Sequence, residues 1–227
     1  MRNLFLFVLI SAIFLFSLTA LQEAPQGEGE DPVEQAREIL DELAERYRSY
    51  GVIEADFHYV IESREEDEDA FRDEHTGTIT LKGDMFRLDL GEQEIITNNE
   101  TIWTHIKDAR EVQVNNFDPE QFEFHPSEIF HVYEEDYRHI FVGRDVQDGV
   151  VYNVVELTPE ERGEMIVKVR LYINQNTGHI ERSVVFERGG LKYSYEILNM
   201  NTDKEAGDDY FTFSEADNPD VTVVDLR

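Results

Sequence analysis

Residues Thr76–Ile106 read TGTITLKGDMFRLDLGEQEIITNNETIWTHI, and the fold follows from this stretch. Thr78 to Lys82 alternates polar and apolar side chains, and Gly83-Asp84 supplies a two-residue turn. Phe86, Leu88 and Leu90 then alternate with Arg87 and Asp89 before Gly91 breaks the run. Glu94 to Thr97 is a further short strand. Asn98-Asn99 tolerates the left-handed backbone of a tight hairpin, and Ile102 to Ile106 returns across it with Trp103, the only tryptophan. Such a meander has an apolar and a polar face, and its apolar face must be covered.

On either side of this meander, the pattern predicts a helix before the sheet and strands after it. Asp31-Pro32 reads as N-cap and first helical position, with Glu34 three residues after the cap. Val33, Ala36, Ile39, Leu40, Leu43 and Tyr47 keep helical spacing to about Tyr50, and Gly51 stops the helix. Ala55, Phe57, Tyr59 and Ile61 alternate with Asp56, His58, Val60 and Glu62 as a first strand. Arg64 to His75 holds seven acids and two arginines; a solvated hairpin tip and a calcium loop both fit acids, but the central glycine of a calcium loop is missing. Beyond Ile106, strands are expected at Val112 and Val114, Arg138 to Gly143, Val150 to Leu157, Glu164 to Asn174, His179 to Arg188, Leu191 to Met200, Tyr210 to Phe213 and Val221 to Leu226. Between them, Asn115 to Glu135 breaks the β pattern. Its aromatics (Phe117, Phe122, Phe124) and a short helix capped by Ser127, with Ile129, Phe130 and Tyr133 on one side, must pack back onto the sheet. With hairpin-length connections nearly everywhere, the expected fold is mainly β: an unclosed, half-open antiparallel β-barrel of about eleven strands with helices lidding its concave face.

Composition bounds the function. Met1-Arg2-Asn3, the apolar run Leu4 to Leu18 and Thr19-Ala20 form a signal peptide over residues 1–20, followed by a polar tether over 21–30 and a single domain over 31–227. The chain has no cysteine, so the exported domain needs no disulfide and carries no lipobox. A net charge of −30 repels nucleic acid and anionic headgroups. The acidity fits an ordinary soluble surface and also a surface adapted to high salt, which screens its self-repulsion. The seven histidines lack zinc-like spacing, and no GxSxG or Gly-rich phosphate loop is present. No enzyme, catalytic residue, metal or cofactor is expected.

Apolar side chains at period-two positions do recur: Phe57, Tyr59, Ile61, Ile79, Leu81, Phe86, Leu88, Val167, Val169, Leu171, Tyr193, Tyr195 and Ile197. They read first as an ordinary barrel core plugged by the helix, and second as the wall of a cavity for an apolar ligand. In the second reading Ile39, Leu40, Leu43 and Tyr47, with Ile129 and Phe130, form a lid that competes with ligand for the wall.

Several segments carry a resemblance. They are Ala55-Asp56-Phe57, Gly77 to Lys82 running into Met85 to Leu88, and Asn98-Asn99-Glu100-Thr101-Ile102-Trp103. Leu157-Thr158-Pro159, Leu171-Tyr172-Ile173 with Gly178-His179-Ile180, and Phe211-Thr212-Phe213 ending in Val221 to Val224 complete the set. In order and spacing the chain resembles the LolA family, periplasmic carriers of outer-membrane lipoproteins, in the form seen in Bacteroidetes-type bacteria, from Pro32 to Arg227. The resemblance implies a monomer whose cavity takes acyl chains of lipoproteins from an inner-membrane ABC-type release complex and passes them to an outer-membrane acceptor. Phe86 matches the aromatic after the family's Lys-Arg-Pro turn. The family keeps an Arg after that Lys, implied to latch the lid, whereas Gly83 stands here; Arg87, another residue or packing alone must then hold the lid. Transport of another amphiphile, a glycolipid or phospholipid, and an envelope-stress sensing module are the alternatives.

Overall fold

The computed structural model describes residues 31–63, 70–118, 137–160 and 165–227. The expected signal peptide, the tether, and Ile129 and Phe130 lie outside the described residues. Helix α1 spans Pro32–Arg48, capped by Asp31, whose Oδ1 accepts the Val33 N–H at 3.0 Å. Glu34 pairs with Arg37 at 2.6 Å, one turn along. The buried face is Ala36, Leu40, Leu43, Ala44 and Tyr47, at the spacing read from the sequence.

Among the described residues twelve strands follow: β1 (Ile53–Glu62), β2 (Arg72–Lys82), β3 (Met85–Asp89), β4 (Gln93–Thr97), β5 (Thr101–Ile106), β6 (Glu111–Asn116), β7 (Tyr137–Gln147), β8 (Val150–Pro159), β9 (Ile166–Asn174), β10 (Ile180–Glu187), β11 (Lys192–Asn201) and β12 (Thr222–Asp225). They form one sheet in the order β12-β6-β5-β4-β3-β2-β1-β11-β10-β9-β8-β7. Two antiparallel meanders, β1–β6 and β7–β11, are thus joined where β1 pairs with β11. The edges β7 and β12 do not meet, so the barrel stays open. The twelfth strand exceeds the expected eleven, and β12 is parallel to β6 because the chain crosses back before pairing. Register slips once at the seam: Asp56 opposes Asn199 but Phe57 opposes Ile197, which turns Leu198 out to 59% exposure.

The turns form as their residues dictate. Gly83 has φ +56 at the β2–β3 hairpin, and Asn99 has φ 72 at the β4–β5 hairpin. There Asn98 Oδ1 accepts the N–H groups of Glu100 and Thr101 at 3.1 and 2.9 Å. Gly77 is required for a different reason. It lies opposite Phe57, and a Cβ there would sit 2.8 Å from the Phe57 ring and 2.6 Å from the Asp89 carbonyl. Gly77→Ala is therefore expected to cost about 1–3 kcal/mol by overpacking. A urea midpoint equal to wild type would refute that contact.

The expected strand at Tyr210 to Phe213 is instead a 3-10 turn over Asp208–Phe211. Here tertiary contacts override alternation. After β11 the chain runs over the outer face of β2 and β3, tied down by cations. Lys204 pairs with Glu54 and donates to Tyr210 Oη at 3.2 Å, and Lys82 reaches the Ala206 carbonyl at 3.1 Å and Asp208 at 2.7 Å. Phe211 is fully buried, and Phe213 packs with Ile96 and Val112 into a small second core that Trp103 and Val221 flank. The C-terminal segment thus lies on the outer face around β2 and β3, and α1 lies on the inner face of the sheet.

Candidate ligand-binding face and its helical lid

The inner face follows from period-two alternation carried across the register. One rung runs Phe141, Val155, Leu171, Ser183, Tyr195, Tyr59, His75 from β7 to β2; the next runs His139, Leu157, Val169, Val185, Tyr193, Ile61, Asp73. On the other side of the seam Ile79 opposes Leu88, and Leu81 opposes Phe86. Phe57, Ile79, Leu81, Phe86, Val155, Leu157, Val169, Leu171, Ile173 and Val185 join Ala36, Leu40, Leu43, Ala44 and Tyr47 of α1 in one apolar cluster. Strands β3 and β8 stand six places apart, about 29 Å in a flat sheet. The sheet curls around a helix about 10 Å wide to form one cluster with it.

Most of the side chains singled out from sequence lie in that cluster. Phe86 is fully buried, and Tyr59, Leu88, Tyr193, Tyr195 and Ile197 pack around its margin with Ile39 of the helix. Ile61 is half-buried outside the cluster, and Val167, at the end of β9, is 44% exposed. Sequence reasoning missed Val155, Leu157, Ile173 and Val185, although Val155 and Leu157 carry the same period-two signal on β8. It also missed His139, whose buried Nδ1 has no hydrogen-bond partner among the described residues. Toward one end the wall turns aromatic and polar. Tyr59 stacks on Tyr195 at 5.9 Å and on His75 at 5.0 Å, and burial pushes the Tyr195 phenol up to about 12.

The helix is held at its C-terminal end. Tyr47 Oη accepts the Ile180 N–H at 3.2 Å, and Tyr50 Oη lies 2.8 Å from His179 Nε2. The three rings touch: Tyr47 and Tyr50 meet edge-on at 6.0 Å, and each centroid lies 5.9 Å from that of His179. The Arg46 guanidinium lies over Gly178, where a Cβ would come within 2.7 Å of it. Burial pushes the Tyr47 phenol up, and it lowers His179, with the Arg46 charge second and Glu181 opposing.

Arg87 does not hold the lid. Its side chain is on the outer face, bidentate to Glu94 at 2.8 and 3.0 Å, donating to the Tyr210 carbonyl at 3.1 Å. A Cβ at Gly83 would meet nothing within 4 Å, whereas the polar contacts of the helix end lie at the β9–β10 turn. Among the described residues, no three His, Asp or Glu side chains converge as a metal ion requires, and no helix is long and apolar enough to cross a membrane.

A curled, unclosed sheet enclosing an amphipathic helix places the chain among half-barrel proteins with a helix-filled inner face. The chain belongs to the family of the outer membrane lipoprotein carrier protein LolA, whose pattern matches residues 54–214. Among solved structures, an uncharacterized conserved protein from Thermus thermophilus superposes with a TM-score of 0.50 at 11% identity, covering 84% of this chain and 99% of that one. A LolA superfamily protein from Nitrosomonas europaea gives 0.44 at 15% identity, with 78% and 97% covered. A putative outer membrane lipoprotein-sorting protein domain from Vibrio parahaemolyticus gives 0.45 at 11% identity, with 79% and 97% covered. No curated protein matches the chain.

Proposed function

We propose that this chain is a periplasmic carrier, exported by a cleaved signal peptide, that shields the acyl chains of lipoproteins between an inner-membrane ABC-type release complex and an outer-membrane acceptor. It performs no chemistry. One observation carries the reading: α1 and the inner wall form a single apolar cluster, yet the helix is tied by polar contacts at one end only among the described residues. A helix that merely completed a core needs no such arrangement; a displaceable one does. Each buried methylene is worth about 0.8 kcal/mol, so fully enclosed acyl chains would leave too slowly for a carrier. A lid competing for Phe86, Leu81 and Leu171 lowers the net affinity and speeds release. Family membership supports the acyl-chain cargo, and the aromatic end of the wall accommodates the polar linkage of such a molecule.

The test uses a synthetic triacylated lipopeptide and the same peptide without acyl chains. Mixed with the full mature chain, the acylated form is expected to elute as a soluble complex in gel filtration, while the bare peptide elutes alone. Equal behaviour of the two peptides would overturn the proposal. A glycolipid or phospholipid recovered in place of the lipopeptide, by mass spectrometry of the complex, would reassign the cargo.

A further inference from the structure

The clasp at the end of α1 is built differently from the rest of the lid. Along the helix, Leu40, Leu43 and Ala44 meet the sheet through dispersion and burial, which are indifferent to pH. At Tyr47, Tyr50 and Arg46 the helix meets the β9–β10 turn through polar groups. That turn is itself firm: Asn174 Oδ1 accepts the Asn176 N–H at 2.8 Å, and the Asn174 carbonyl accepts Gly178 N–H at 2.8 Å. His179 is therefore presented in one orientation, half-buried, with Tyr50 Oη against its Nε2.

We propose that the Tyr50–His179 contact is an acid-released clasp: protonating His179 frees the C-terminal end of α1 from the β9–β10 turn and opens the inner face to ligand.

The groups facing His179 make this the expected direction. From α1 come the fixed positive charge of Arg46 and the phenol of Tyr47, and from just beyond its end the phenol of Tyr50; from β10 comes Glu181, already engaged by Tyr152 at 2.9 Å and Asn174 at 2.7 Å. On the β11 side the neighbouring residues are Ile197, Leu198, Asn199 and Met200, which carry no charge. An imidazolium here would be desolvated beside a guanidinium, and the neighbouring Glu181 carboxylate is shared with two other donors. Tyr50 can accept from a protonated Nε2, so the hydrogen bond is not what fails; the surrounding charge is. The clasped His179 sits below its ordinary value of 6.5, whereas a released one returns to it. The open state therefore binds the proton more tightly. Clasp strength is complete above pH 6.5 and declines as the pH falls through the depressed value.

The inference rests on the carrier reading for its purpose, but its test is ligand-free, so the two fail separately. Because the chain has no cysteine, a nitroxide pair at Glu45→Cys and Asn176→Cys, both exposed, reports the helix–turn distance without background. On lowering the pH from 7.5 to 5, dipolar coupling is expected to weaken as a longer-distance population grows. In the same labelled chain carrying His179→Gln, which keeps a hydrogen-bonding group near the Nε2 position and cannot titrate, the pH dependence should disappear. In Tyr50→Phe the longer population should already be present at pH 7.5. A distance unchanged between pH 7.5 and 5, or one that changes equally in His179→Gln, would overturn the clasp. Loss of lipopeptide binding alone would instead count against the carrier function.

Discussion

Leu43→Glu is expected to bind a fluorescent fatty-acid probe about 10- to 100-fold more tightly than the wild type. Leu43 is 1% exposed at the centre of the α1 face, among residues that share one cluster with Phe86 and Leu171. Burying that side chain is worth about 1.5–3 kcal/mol, and a carboxylate in its place has no cationic partner in the apolar cluster. The helix, being one separable element, leaves before the twelve-stranded sheet unfolds. The wall it vacates then binds the probe without competition, and each 1.4 kcal/mol withdrawn from the lid appears as a factor of ten in affinity. The sign distinguishes a lid from a core element. If the helix were an integral part of the wall, losing it would weaken binding. Probe titration with circular dichroism of the sheet decides between them: unchanged affinity with intact β signal removes α1 from any gating role.

Phe86→Ala is expected to lose about 3–5 kcal/mol of stability, the largest loss from a single truncation in the wall. The ring is fully buried on the inner face, Leu81 lies opposite it on β2 and Thr97, also fully buried, on β4. Little around it can collapse, because both neighbours belong to hydrogen-bonded ladders. The resulting apolar space should stay dry and accept an alkyl chain. Saturating fatty-acid probe is then expected to restore part of the loss; a hundredfold excess over the dissociation constant returns about 2.7 kcal/mol. Urea unfolding with and without probe measures both quantities. A loss below about 1 kcal/mol would mean the ring does not pack as the structure places it.

Much of this architecture was legible locally. Asp31-Pro32 and the apolar spacing to Tyr47 yield the helix because capping and 3.6-residue periodicity act within a turn or two. Gly83 and Asn98-Asn99 specify hairpins because only such residues reach positive φ cheaply, and a hairpin sets its own register. The wall followed from the same rule, since alternation carried across paired strands must put Ile79, Leu81, Phe86 and Leu88 on one face. The misreading at Tyr210 to Phe213 shows where the rule stops. Alternating aromatics there do not pair in a sheet; Phe213 and Phe211 are buried while Lys204 and Arg87 flank the Tyr210 ring at 4.6 and 5.1 Å. Arg87 was one candidate for the missing latch, but strand alternation points it outward, opposite to Phe86.

Sequence alone was enough to specify the helix, most of the strands and their turns, and to require that a curled β sheet carry an apolar face with an amphipathic helix to cover it. Those properties arise from backbone preferences and periodicity over a few residues. Long-range packing settled the rest: how the two meanders join at β1 and β11, that the C-terminal segment straps the outer face, and that Tyr47 and Tyr50 meet Ile180 and His179 across 133 and 129 positions of chain. Such contacts depend on how the whole sheet curls and where its seam falls, and no local pattern encodes that distance. The helix that covers the inner face was therefore readable from sequence, and its contacts with the β9–β10 turn were not.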